Sequence, residues 1–141
     1  MSEFYKYFKE NMESLGLEAP ESLFGKVTTA AATANTILSQ IEKHGKTVTV
    51  GELIRAGTRM EQLTMVGACS AAYYVGGVIG SIAVATGRIL GNGTSRSDVL
   101  LSARREGLYR EWLVGCFRVY PGIYEPDHPN RANHHVMRYL A

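Results

Sequence analysis

Asp127, His128, His134 and His135 crowd the C-terminal end of the chain, and imidazole is a frequent metal ligand. Adjacent His134 and His135 point to different sides of a helix, however, and neither an HExxH spacing nor a paired-cysteine zinc pattern is present. No metal site and no cofactor is expected. Cys116 and a distant histidine are the ingredients of a thiol hydrolase, yet Gly115-Cys116-Phe117 carries no nucleophile signature and lies in an apolar helical stretch. Core packing accounts for Cys116 better, and Cys116→Ala would test the enzymatic alternative. Gly91-Asn92-Gly93-Thr94 lacks the lysine of a phosphate-binding P-loop and reads as a turn. No catalytic residue is assigned, and the chain is not expected to be an enzyme.

Composition narrows the classes further. The chain has 141 residues, 45% hydrophobic and 20% charged, which suits one domain, 1–141, built on one core. A formal charge of +2 is far from the concentrated basic stripe that nucleic acid requires, so nucleic acid is not expected as a partner. The only cysteines, Cys69 and Cys116, form no framework; a reducing compartment fits, with a single bridge left open. Charges thread through the aromatics of residues 1–10, which excludes a Sec signal peptide. The expected location is the cytoplasm of the producing cell, with any export independent of a cleaved leader.

The elements that must position these residues are helical. Phe4, Tyr5, Phe8, Met12 and Leu15 recur at helical spacing with charges between them, so residues 3 to 15 predict an amphipathic helix that Gly16 stops. Residues 1–22 form this helix and a linker. Pro20, Glu21 and Ser22 open a second helix, Leu23 to Lys43, closed by Gly45. For Thr47 to Gly51 two signals conflict: the β-branched run favours strand, whereas Thr49 can cap Glu52. A third segment runs from about Thr58 to Leu90, and residues 23–90 are expected to form an apolar helical hairpin. Residues 91–124 hold a break at Gly91 to Ser95, a helix capped by Ser95 or Ser97 and ending at Gly107, another from Arg110 to Arg118, and a turn-rich loop. Residues 125–141 are a polar tail. The predicted fold is all-α, a compact helical bundle around a central glycine- and alanine-rich helix or hairpin.

Leu63 to Gly87 contains no charged residue. As a continuous helix rising about 1.5 Å per residue it would extend roughly 37 Å, more than the roughly 30 Å hydrocarbon layer of a bilayer. Within it Ala68, Ala72, Gly76 and Gly80 stand four apart, and Gly77, Ser81 and Ala85 form a second row. Such rows let helix backbones approach closely, which is how helices associate in lipid. The same pattern suits the buried central helix of a soluble bundle, and the two are compatible if a soluble fold later rearranges. Tyr73 and Tyr74 lie near mid-span, favouring a buried or pore-lining place over an interfacial one. Arg88, Arg96, Arg104, Arg105 and Arg110 follow the apolar segment and fit either a solvated face or contact with anionic lipid.

The block Gly67 to Arg88, followed by Thr94-Ser95, Asp98-Val99-Leu100, Trp112-Leu113 and Tyr120-Pro121-Gly122-Ile123-Tyr124, resembles small glycine-zipper effectors of the bacterial type VI secretion system. The likeness covers about Leu23 to Tyr124, and the tail from Glu125 has no counterpart. The resemblance implies an interbacterial toxin that forms ion-conducting pores in the inner membrane of a recipient cell. Its partners would be the ring of the secreted tube protein, a cognate membrane immunity protein, target membrane lipid and other copies of itself. The membrane-inserting, helix-packing residues would be Gly67, Ala68, Ala72, Gly76, Gly77, Gly80, Ser81 and Ala85. A non-enzymatic soluble adaptor or interaction module is the alternative.

Overall fold

Helix ends fall where the sequence supplies a residue able to reverse the backbone. A computed structural model describes residues 3–45, 47–57, 70–90 and 96–119, with the side chains of 88–90, 96, 97, 116 and 119 outside that description. In order the elements are α1 (Glu3–Ser14), α2 (Glu21–Phe24), α3 (Val27–His44), α4 (Val50–Arg55), α5 (Ala71–Leu90), α6 (Arg96–Arg105) and α7 (Glu111–Val119). Among the described residues the architecture is all-α, with one isolated antiparallel bridge, Thr49 to Ser70, and no strand.

Two helices close by the same device. Gly16 takes φ 76°, and beside it the Leu17 N–H donates to the Met12 carbonyl at 2.9 Å and the Gly16 N–H to the Glu13 carbonyl at 3.0 Å. Gly107 at φ 73° repeats the pair through Leu108 to Ala103 at 2.7 Å and Gly107 to Arg104 at 3.2 Å. This is the Schellman closure, for which glycine is preferred because the left-handed conformation penalises a Cβ.

Two expectations are corrected. The predicted helix Leu23 to Lys43 is two helices: Lys26 is extended at φ −138°, ψ 158°. A Cβ on Gly25 would stand 2.8 Å from the Glu21 carbonyl oxygen, and the Thr33 hydroxyl, nearly two turns into α3, donates to the Leu23 carbonyl at 2.9 Å. The uncharged segment is not a continuous helix from Leu63 either. Ser70 pairs with Thr49 in the bridge, the Ala71 N–H donates to the Val48 carbonyl at 2.9 Å, and Ser70 Oγ accepts from the Tyr73 N–H at 3.2 Å. Ser70 therefore starts α5 as an N-cap; residues 58–69 lie outside the described residues. No helix among the described residues is long and apolar enough to cross a membrane. Both α3 and α1 pack on α5, α1 the more extensively.

The conflict at Thr47 to Gly51 resolves locally. Thr49 and Glu52 form a full capping box, with the Glu52 N–H donating to Thr49 Oγ1 at 3.2 Å and the Thr49 N–H donating to Glu52 Oε1 at 2.8 Å. The β-branched run supplies only the single bridge. Thr49→Ala is expected to lower stability by about 1 kcal/mol, the usual worth of such a cap, read as a shifted urea midpoint with unchanged m-value.

Candidate functional site: the covered face of the central helix

α5 is buried at every position from Ala71 to Ala83. The absence of charge permits this, because burying an unpaired charge costs far more than a short apolar helix gains. Its cover is shared: α1, whose Phe4, Tyr5, Phe8 and Met12 are buried, packs on it most extensively, and α3, α6 and α7 also pack on it. An aromatic run links α1 to α5: Phe4 to Phe8 at 5.5 Å between ring centroids, Phe8 stacked on Phe24 at 5.0 Å, and Phe24 tilted against Tyr74 at 6.4 Å.

Of the two small-residue rows, the one holding Gly77 and Ser81 meets α1 and the turn after it. A Cβ on Gly77 would stand 2.8 Å from Leu17 Cδ1, 3.7 Å from Leu15 Cδ1 and 3.9 Å from Met12 Sδ, so the helix face is in close contact here and a larger residue would require the end of the Leu17 side chain to shift. One turn on, Ser81 is fully buried and its Oγ accepts from Asn11 Nδ2 at 2.8 Å. Ala85 continues that row and Ala72, Gly76 and Gly80 form the other, all of them buried. Gly67 and Ala68 lie outside the described residues.

Asn11 was not singled out by the sequence reading, although it stands three residues after Phe8 and four before Leu15, squarely in the apolar stripe. A buried amide bonded to a buried hydroxyl fixes the register of two helices, because any slip strands both groups at about 1–3 kcal/mol. The turn is tied from both sides as well. The Tyr5 hydroxyl donates to the Ala19 carbonyl at 2.7 Å, and the Tyr74 hydroxyl to the Glu18 carbonyl at 2.7 Å. Tyr73 and Tyr74 are fully buried, the first of the two placements their mid-span position allowed.

Burial pushes the Tyr5 phenol above its ordinary pKa, and the Glu21 and Glu13 carboxylates push it the same way. The folded state thus holds this proton more tightly than the unfolded chain. Its stabilisation is complete below the ordinary tyrosine value near 10 and is lost as pH rises through the raised folded value. Stability is expected to fall in that alkaline window, measured by urea titration at stepped pH, and Tyr5→Phe is expected to flatten the fall.

Asp127, His128, His134, His135 and the Gly91 to Ser95 break lie outside the described residues, as do Cys69 and the side chain of Cys116. Among the described residues no group of three His, Cys, Asp or Glu is placed to hold a metal ion. Arg110 Nε donates to Glu42 Oε1 at 2.6 Å, joining the start of α7 to the end of α3.

No family model, curated protein or solved structure matches the chain. What remains to weigh is the arrangement itself: a charge-free helix with a small-residue face, held by a separate amphipathic helix through one buried polar pair and an aromatic run.

Proposed function

We propose that the protein is a membrane-active toxin without enzymatic chemistry, carried as a helical bundle and converted at a bilayer when α1 leaves α5. The observation that carries this reading is the complete burial of α5 from Ala71 to Ala83, with the amphipathic α1 as its most extensive cover. α1 is suited to lie in a lipid interface once detached, with its aromatics inward and Lys6 and Lys9 outward. The released small-residue face then packs against the same face of other copies, and the resulting assembly conducts ions. On the resemblance to type VI effectors, the chain travels in the ring of the secreted tube protein, meets a membrane immunity protein in the producer and acts at the recipient inner membrane.

A soluble interaction module is the second reading, and the observation that favours it is Gly77. Its close approach to Leu17 shows the small-residue face already used by the fold itself. Release of a trapped dye from vesicles of bacterial lipid separates the two. The toxin reading expects release by purified protein at submicromolar concentration; intact vesicles over a hundredfold range of protein would favour the module.

A further inference from the structure

Away from α5, the corner made by α6 and the start of α7 carries features that neither reading uses. Leu101 is the large hydrophobic residue that stands out to solvent among the described residues, 56% exposed. On α6 it shares a face with Arg104 and Arg105, three and four residues on, both exposed. The Arg104 guanidinium lies 4.5 Å above the Tyr109 ring. Stacking holds the guanidinium plane while leaving N–H groups at its edge to donate.

The charge distribution points the same way. Between residues 88 and 119 there are six arginines against Asp98, Glu106 and Glu111, a surplus of three that exceeds the +2 of the whole chain, so the remainder is net negative. From Arg55 onward the chain has no lysine but does have arginine, the side chain whose planar fork matches phosphate oxygens in pairs. Asp98, one turn before Leu101, is the acid on the same face, and the Arg110 to Glu42 bond removes one arginine from the free set.

From this juxtaposition we propose that the α6 corner is a docking surface for anionic lipid headgroups, with Leu101 entering the interface and Arg104 and Arg105 taking phosphates beside it. A flat phosphate layer over an apolar interior is the partner that rewards an exposed leucine ringed by arginine. The surface orients the bundle on the membrane before α1 moves. The inference rests on the membrane reading only in its choice of partner, since docking needs no pore.

Flotation of the full chain with phosphatidylglycerol vesicles and with phosphatidylcholine vesicles tests it, with the emission of Trp112, the one tryptophan, as a second reading. Binding is expected to the anionic vesicles, weakening as salt is raised. Arg104→Gln with Arg105→Gln is expected to weaken it about thirtyfold, each arginine near an anionic surface contributing roughly fivefold. Leu101→Ser should weaken it severalfold while leaving the salt dependence. Melting curves confirm that these exposed substitutions keep the fold. Equal binding to both vesicle types, no binding to either, or an arginine variant that binds like the parent overturns the proposal. Docking without dye release leaves the proposal standing and counts against the toxin reading, and dye release untouched by the arginine variant does the reverse.

Discussion

Phe8→Ala is expected to strip about 3–5 kcal/mol from the bundle, the usual loss for a fully buried phenylalanine. Phe8 has no solvent exposure and is the ring that joins Phe4 to Phe24, so its removal leaves a cavity under α1 with aromatic walls that cannot readily collapse. For a domain stable by only about 5–15 kcal/mol this is a large fraction, visible as a lower urea midpoint. Because the loss falls on the packing of α1, it also predicts a gain. Each 1.4 kcal/mol that shifts toward the uncovered state multiplies its population about tenfold, so the variant should release dye from vesicles at least about tenfold faster than the parent at equal protein. A variant that is destabilised yet no faster would mean that uncovering α5 is not the controlling step.

The second large effect runs the other way. The tips of the Asn11 and Ser81 side chains meet at 2.8 Å, Nδ2 to Oγ, across the α1–α5 contact, so cysteines at these positions lie on opposite sides of the interface that must open, with a shift of about 1 Å needed to close a bond between them. In a chain with Cys69 and Cys116 replaced by serine, Asn11→Cys with Ser81→Cys is expected to form a disulfide on oxidation, detectable by mass. The bond holds α1 on α5, and dye release should drop below detection, then return on reduction. Each single-cysteine variant, lacking the bond, should stay active although it loses the buried hydrogen bond, about 1–3 kcal/mol. Release by the oxidised chain at the rate of the reduced one would show that α1 need not leave.

Much of the helix layout can be read from local signals. Gly16, Gly45 and Gly107 all stand at positive φ, where the chain reverses, and the Thr49-x-x-Glu52 pattern becomes a complete capping box. These succeed because a cap involves residues within one turn of each other. The failures are tertiary. The break at Gly25 is accompanied by the Thr33 hydroxyl reaching the Leu23 carbonyl, and the start of α5 by Ser70 pairing with Thr49; neither has a marker such as proline in the segment it interrupts. Periodicity showed that α1 has an apolar face but not that α5 would be its main partner. The small-residue rows were legible as a close-approach surface, whereas their polar anchor joins Asn11 to Ser81, 70 positions apart, and no local pattern announces such a pair.

The central claim is that this chain conducts ions once α1 uncovers α5, and the most direct test is current across a planar bilayer of bacterial lipid exposed to the purified protein. The account predicts discrete conductance steps, more frequent with Phe8→Ala and absent with the oxidised Asn11→Cys, Ser81→Cys chain until reductant is added. A correctly folded parent that leaves the bilayer silent at every concentration and voltage tried would contradict it.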